Sequence, residues 1–498
     1  MLDLIAARTR EFAAGFPKEE RKKKGQFFTS PETARFMAGM FDLSRCGDLV
    51  SVLDPGAGSG ILSAALVERL LSEKPGTRIS LVCCETDPEI LPLLRDSLEL
   101  MEREAGGRLE WELETGDYIL SRAGDYRSRN EAARKYDFTI LNPPFLKVGR
   151  NDPRSLAMSD VVYGAPNLYF LFAAMSLFDL RPGAEMVCIL PRSWTSGAYF
   201  RAFRERLLTE GSLKRVHLFV SRDRVFDSEN VLQETVIIKI AKESRPPENI
   251  YITSGGSGSD LGDLPGLAVP YDCVVSGKDL FVCLPADRED LDAIRRVRAF
   301  SSTLPESGLR MKTGIVVDFR NRDDLRSGPG DHAIPLFRIQ HIRNGRVNHL
   351  PSGKGSDWIS DEKPRLVQAS RNYVFLKRFT AKEESRRLQC GIFSPGDYPE
   401  YSRIATENKI NFIDSADGSE LDRETVWGVF AFLNSTLYDR YYRLLNGSTQ
   451  VNSTEINAMP FPAAETIRKA GERLLMSGDL SAENCDRIID GVTGEDGK

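Results

Sequence analysis

Paired cysteines, clustered histidines and long apolar runs are all missing from this chain, and each absence removes a class of function. The eight cysteines in 498 residues include no Cys-x-x-Cys spacing, which argues against a disulfide framework and against zinc. Cys83 and Cys84 are adjacent within a predicted strand and read as small buried side chains. The four histidines, His217, His332, His341 and His349, have no metal-ligand spacing, so no metal is expected. No apolar run approaches the ~20 residues that span a bilayer. The opening Met1-Leu2-Asp3-Leu4-Ile5 also lacks the basic-then-apolar layout of a signal peptide. A cytoplasmic, reducing location without a membrane partner is expected. Excess positive charge is missing too, the formal net charge being −5. That weighs against nucleic acid as a partner only on average, because phosphate contacts depend on local charge within about 8 Å at cellular salt.

What is present is a set of strand ends carrying polar and aromatic groups. The run Tyr136-Asp137-Phe138-Thr139-Ile140-Leu141 closes in Asn142-Pro143-Pro144-Phe145. Two prolines fix φ and remove two N–H donors, so the strand must stop there. Their carbonyls can still accept. An Asn side-chain oxygen and a proline carbonyl can together hold both hydrogens of a planar amino group, with an aromatic ring alongside for stacking. Alone, the tetrapeptide reads equally well as a proline-rich turn.

Upstream, the short apolar strand Val50 to Leu53 leads into Asp54-Pro55-Gly56-Ala57-Gly58-Ser59-Gly60 and a helical run from Ile61 to Leu71. Strand, glycine turn, helix is the dinucleotide-type layout, in which Gly56, Gly58 and Gly60 let a ligand lie against the backbone. No Gly-Lys-Ser/Thr follows, so this is not a phosphate loop, and Asp54 at its head suits an amine or hydroxyl. A second strand, Ile79 to Cys84, ends in Glu85, about where an acid binds ribose hydroxyls. Gly116-Asp117-Tyr118 pairs an acceptor for an adenine amine with a ring. The loop, Glu85, Asp117 and Asn142 stand in that order, each at a predicted strand end.

This order resembles the gamma-order S-adenosylmethionine-dependent DNA adenine-N6 methyltransferases, TaqI-like and most similar to the PstI/BsuBI-type modification methylases. Lys24-Gly25-Gln26-Phe27-Phe28-Thr29-Ser30-Pro31-Glu32-Thr33-Ala34 resembles that family's methionine-contacting motif, with Ser30 inserted before the usual proline. The resemblance implies cofactor contacts from Thr29, Asp54, Gly56, Gly58, Gly60, Glu85, Asp117 and Tyr118. It implies catalysis at Asn142, Pro143, Pro144 and Phe145, where Phe145 stands for the more frequent Tyr. A second aromatic precedes the last strand of the family's sheet, and Phe226 is the candidate to stack on the other face of an extruded base. The implied activity is site-specific methyl transfer from S-adenosyl-L-methionine to the exocyclic amine of a flipped-out adenine in double-stranded DNA. A separately encoded cognate restriction endonuclease and a nucleoid-associated, prokaryotic-type setting go with it. RNA adenine methylation, cytosine-N4 methylation, protein glutamine methylation and a catalytically silent DNA-binding subunit stay open.

The expected fold is α/β: a Rossmann-like, mostly parallel methyltransferase sheet with an antiparallel edge hairpin, followed by a mixed β-rich DNA-recognition domain. Alternating strand and helix signals run to about 242. They include an apolar helix from Asn167 to Leu180, a strand from Glu185 to Leu190, and the hairpin Val216 to Val220 with Thr235 to Ile240. Glu243 to Pro265 is rich in Ser, Gly, Pro and Asp and reads as a surface loop or linker. The domains are accordingly placed at 1–245 (catalytic), 246–300 (linker and connecting elements) and 301–498 (target recognition). Lys312 to Arg320 and the stretch from Phe432 to Asn452, closing in Met459-Pro460-Phe461-Pro462, resemble the PstI/BsuBI recognition region. Between Arg365 and Arg387 there are seven Lys/Arg against two Glu, interleaved with Tyr373, Phe375 and Phe379. This makes Arg365, Arg371, Lys377 and Arg378 the DNA-binding candidates, against the alternative of a solvated charged face.

Overall fold

In the computed structural model, which describes residues 1–15, 17–219, 234–255, 261, 264–350, 356–381 and 383–495, the chain divides into two units, Met1–Asp287 and Arg288–Lys498.

The first unit is built on nine strands: β1 (Leu49–Pro55), β2 (Arg78–Cys84), β3 (Leu109–Glu114), β4 (Tyr136–Leu141), β5 (Leu180–Pro191), β6 (Ser212–Phe219), β7 (Thr235–Ala241), β8 (Asn249–Gly255) and β9 (Gly266–Pro270). They lie in the order β3-β2-β1-β4-β5-β7-β6-β8-β9. Strands β3 to β5 are parallel, and β7 inserts antiparallel between β5 and β6. This is the Rossmann-like, mostly parallel sheet with an antiparallel insertion that the resemblance implies. The central strands are buried along nearly their whole length, β7 at every residue, as helices on both faces require. The helix Leu168–Asp179 is buried all round, so its apolar composition reflects a core position rather than an amphipathic surface. Asn167 caps it, and Pro182 with Gly183 falls in β5, which begins directly at Leu180.

The expected linker is corrected by the structure. Asn249–Gly255 pairs parallel with β6 from Arg215↔Tyr251 to Phe219↔Gly255, and β9 adds antiparallel to it. Ile250 and Ile252 are buried while Tyr251 between them is half-exposed. This run of β-branched and aromatic residues is that of a strand, masked in the composition by the Ser/Gly/Asp run that follows. The sheet therefore continues past the β6–β7 hairpin, and its outer strand on that side is β9.

The second unit holds a six-stranded mixed sheet and a five-stranded one. The first has Tyr373–Lys377 near its middle, between Ile410–Ser415 and Cys390–Phe393. From Arg423 the chain turns helical, with Arg423–Leu433, Thr436–Leu445, Ala464–Ser477 and Ala482–Glu495. Ser435 breaks the first two apart, its hydroxyl accepting from the Tyr438 N–H at 3.2 Å as an N-cap. Among the described residues no helix is long and apolar enough to cross a membrane.

Candidate active site

The C-terminal ends of β1 to β4 converge where the strand order reverses, the crevice in which open α/β sheets bind ligands. After β1 the backbone N–H groups of Gly56 and Ala57 both donate to the Cys84 carbonyl, at 2.8 and 2.9 Å, tying the glycine loop to the end of β2. Glu85 completes the tie: its Oε2 accepts from the Gly58 N–H at 2.9 Å, and its Oε1 from the N–H groups of Thr86 and Asp87 at 2.8 and 2.9 Å. Gly60 leads into the helix Ile61–Glu73 with φ 79°, and a Cβ there would lie 3.0 Å from Leu94 Cδ1, so the position takes glycine on two counts.

These ends enclose a cavity of about 580 Å³. Gly56, Gly58, Glu85, Asp117, Tyr118, Asn142 and Pro144, all expected from sequence, line it. Phe28, Ile90, Leu168 and Phe172 supply apolar wall, and Lys24 and Arg154 bring positive charge. Thr29, Asp54, Gly60, Pro143 and Phe145 are not on the wall. Asp54 corrects the expectation of direct contact: it is fully buried, and its Oδ2 accepts from the Ser63 hydroxyl at 2.6 Å. It braces the loop from beneath. Asp117 uses Oδ1 to cap the helix Tyr118–Ser128, accepting from Ile119 and Leu120 N–H groups at 3.0 and 2.9 Å. Tyr118 is buried, its hydroxyl donating to Asp179 Oδ2 at 2.9 Å and its ring 5.2 Å from that of Phe172. Its phenol is thus committed to the interior. Phe226 lies outside the described residues.

At the end of β4, the Asn142 amide donates from Nδ2 to the Phe27 carbonyl at 2.8 Å and to Thr29 Oγ1 at 3.1 Å. A carbonyl only accepts, so the amide must turn its NH2 there and its Oδ1 elsewhere. Among the described residues nothing donates to that Oδ1 or to the Pro143 carbonyl. The half-buried Phe145 ring lies 5.5 Å from the Phe27 ring and edge-on to Tyr169 at 6.1 Å.

The Eco57I restriction-modification methylase family matches residues 77–226. The type II methyltransferase M.PstI of Providencia stuartii is 32% identical over 94% of this chain and 92% of its own. M.BsuBI of Bacillus subtilis is 31% identical over 91% and 90%. The chain belongs to the PstI/BsuBI-type modification methyltransferases. Among solved structures, a nuclease-deletion mutant of the Type ISP restriction-modification enzyme LlaGI, in complex with a DNA substrate mimic, is similar at TM-score 0.49 and 12% identity, over 90% of this chain and 54% of that one.

As a PstI/BsuBI-type enzyme it is a DNA methyltransferase of the restriction-modification class that uses S-adenosyl-L-methionine. The cavity fits that cofactor: a carboxylate stands at the end of β2, apolar side chains wall the middle, and the backbone of the glycine loop is open to close approach. In the methyltransferase's second unit the basic-aromatic stretch is not an open charged face. Tyr373 and Phe375 are core residues of the six-stranded sheet. Arg371 bonds Asp414 at 2.9 Å, Lys377 bonds Gln389 at 2.8 Å, and Arg378 donates to the Asn408 carbonyl at 3.1 Å. Arg365 is exposed and has no ion pair among the described residues. Sequence reasoning missed Phe172, Ile90 and Arg154 on the cavity wall. Phe172 sits in a uniformly apolar helix that signals core, and Ile90 and Arg154 belong to loops or short elements without periodicity.

Proposed function

We propose that this methyltransferase transfers a methyl group to the N6 amine of an adenine rotated out of duplex DNA, and that the first unit carries catalysis while the second reads the site. The orientation of Asn142 supports this reading best. Its NH2 is occupied by Phe27 and Thr29, so Oδ1 is the group left for a substrate amine. Oδ1 and the Pro143 carbonyl accept from the two amine hydrogens and draw the nitrogen lone pair out of conjugation, toward the reacting methyl. S-adenosyl-L-methionine, when bound, would supply that methyl as an electrophile on sulfur, the nitrogen–carbon bond forming as the sulfur–methyl bond breaks, with S-adenosylhomocysteine leaving and the surplus amine proton passing to solvent. Glu85 accepts from ribose hydroxyls, and Gly56 and Gly58 let the cofactor lie against the loop. Extrusion of the base costs a few kcal/mol, which stacking on Phe145 offsets at about 1–3 kcal/mol per ring. Positioning and polarisation carry the rate, with no covalent enzyme intermediate.

Long-read sequencing of DNA from cells expressing the protein tests the product and its context together. N6-methyladenine at one short recurring sequence is expected, and N4-methylcytosine would overturn the adenine assignment. Asn142→Ala should reduce single-turnover methylation by on the order of 10²–10³ while S-adenosylhomocysteine affinity by calorimetry stays near wild type. Retention of more than about a tenth of the rate, against that expected loss, would refute the role given to Asn142.

A further inference from the structure

Contacts made by residues 24 to 29 alternate between two elements. Lys24 Nζ lies 2.8 Å from Asp87 Oδ2 and also bonds Glu89, and Gln26 Nε2 donates to the same Asp87 oxygen at 2.6 Å. The intervening residues turn to the end of β4. The Gly25 carbonyl accepts from the Phe145 N–H at 3.1 Å, and the Phe27 carbonyl and Thr29 hydroxyl accept from Asn142. Gly25 has φ 70°, and a Cβ there would lie 3.1 Å from the Phe145 nitrogen, so the strap runs flush against the tetrapeptide. Its far end is fixed as well, because the Ser30 hydroxyl caps the helix Pro31–Gly39 by accepting from the Thr33 N–H at 3.2 Å. Thr29 is buried and off the cavity wall.

We infer that Thr29 is a positioning residue for Asn142, held in place by a strap latched to Asp87, rather than a cofactor contact. Two acceptors on one NH2 group fix the amide plane, where the Phe27 carbonyl alone leaves it free to swing. The latch at Asp87 sets where both acceptors stand. Asp87 also donates its N–H to Glu85, so the carboxylate end of the cavity and the amine-binding end are joined through one chain of hydrogen bonds. This inference rests on the reading of Asn142 given above.

Single-turnover methylation and S-adenosylhomocysteine calorimetry on Thr29→Val, Thr29→Ser, Asp87→Ala and Asn142→Ala separate the possibilities. Thr29→Val should lose about tenfold in rate, the equivalent of ~1.4 kcal/mol and the scale of one hydrogen bond, with affinity unchanged. Thr29→Ser keeps the acceptor and should restore the rate. Asp87→Ala releases the strap and should lower rate and affinity together. A wild-type rate in Thr29→Val, or a rate loss matched by lost affinity, overturns the inference. If Asn142→Ala abolishes methylation while Thr29→Val does not, only the role of Thr29 falls. If Asn142→Ala remains active, the reading of the site falls with it.

Discussion

Asp54 shows how a residue can be found in sequence for the wrong reason. It heads the glycine loop, which made it a candidate for touching the cofactor, yet it lies fully buried at the end of β1. Its Oδ2 accepts from Ser63, and its Oδ1 has no hydrogen-bond partner among the described residues. Burial pushes this carboxyl up to about 7, against the opposing pull of the Ser63 hydrogen bond. In the unfolded chain it titrates at about 3.9. Between those values the folded protein holds more protons than the unfolded one, so the stability from this group is complete below about 4 and is lost as pH rises through about 7. Asp179 is also pushed up to about 7 by burial, so both groups shape the profile and a difference measurement is needed. Asp54→Asn keeps the shape and cannot ionise. The fall in melting temperature from pH 5 to pH 8 should therefore be smaller in the variant than in wild type. Equal falls would show that Asp54 is ionised across the range. Sequence patterns identify a residue's position at a strand end well. They do not say whether its side chain points into the cleft or beneath it, because that depends on the turn that follows.

At the scale of elements, the first unit was legible because its signals are short-range. A buried parallel strand is an apolar run, and a strand end beside a cleft is where glycine, proline and acid interrupt it. Glu85, Asp117 and Asn142 all fall within three residues of a strand's last residue. The second half was less legible because a buried strand central to a small mixed sheet carries core aromatics and is flanked in sequence by cations, the same composition that a nucleic-acid face would show. Tyr373–Lys377 is such a strand. The cations around it divide accordingly. Arg387 is 2% exposed and donates to the Ser448 carbonyl at 2.7 Å, to Asn446 at 3.2 Å and to Thr380 at 3.2 Å. Arg387→Ala should destabilise by about 3 kcal/mol, because the Ser448 carbonyl and the Thr380 hydroxyl oxygen are left without a donor while Asn446 keeps the Ser448 N–H, and thermal melts would show it as a drop of several degrees. Arg365→Glu should leave the melt unchanged, weaken DNA binding, and lower the slope of log affinity against log salt by about 0.9 or more. A salt slope identical to wild type would remove Arg365 from the DNA interface.

For the molecule as a whole, the boundary between the units decides which fragments can stand alone. Composition placed the end of the catalytic domain near 245, because the Ser/Gly/Asp run looks like a linker. In the structure β8 and β9 lie beyond that point and complete the sheet, and the first unit extends to Asp287. A chain ending at 245 would leave β6 with an unpaired edge. It would also expose the face that Ile250 and Ile252 cover and break the bond between His217 Nδ1 and Thr253 Oγ1, which are 2.9 Å apart in the interior. His217 would then face water, and its burial, which now lowers its pKa to about 4, would be lost. The expected outcome is that residues 1–245 aggregate, whereas residues 1–287 are soluble and bind S-adenosylhomocysteine with near wild-type affinity, since the glycine loop, Glu85, Asp117 and Asn142 all lie within them. The same fragment should fail to methylate the cognate sequence selectively if the second unit reads it. Light scattering, calorimetry and methylation of paired cognate and non-cognate duplexes make the three comparisons. A soluble 1–245 fragment that binds the cofactor would mean that β8 and β9 are dispensable. Selective methylation by residues 1–287 would move sequence recognition into the first unit.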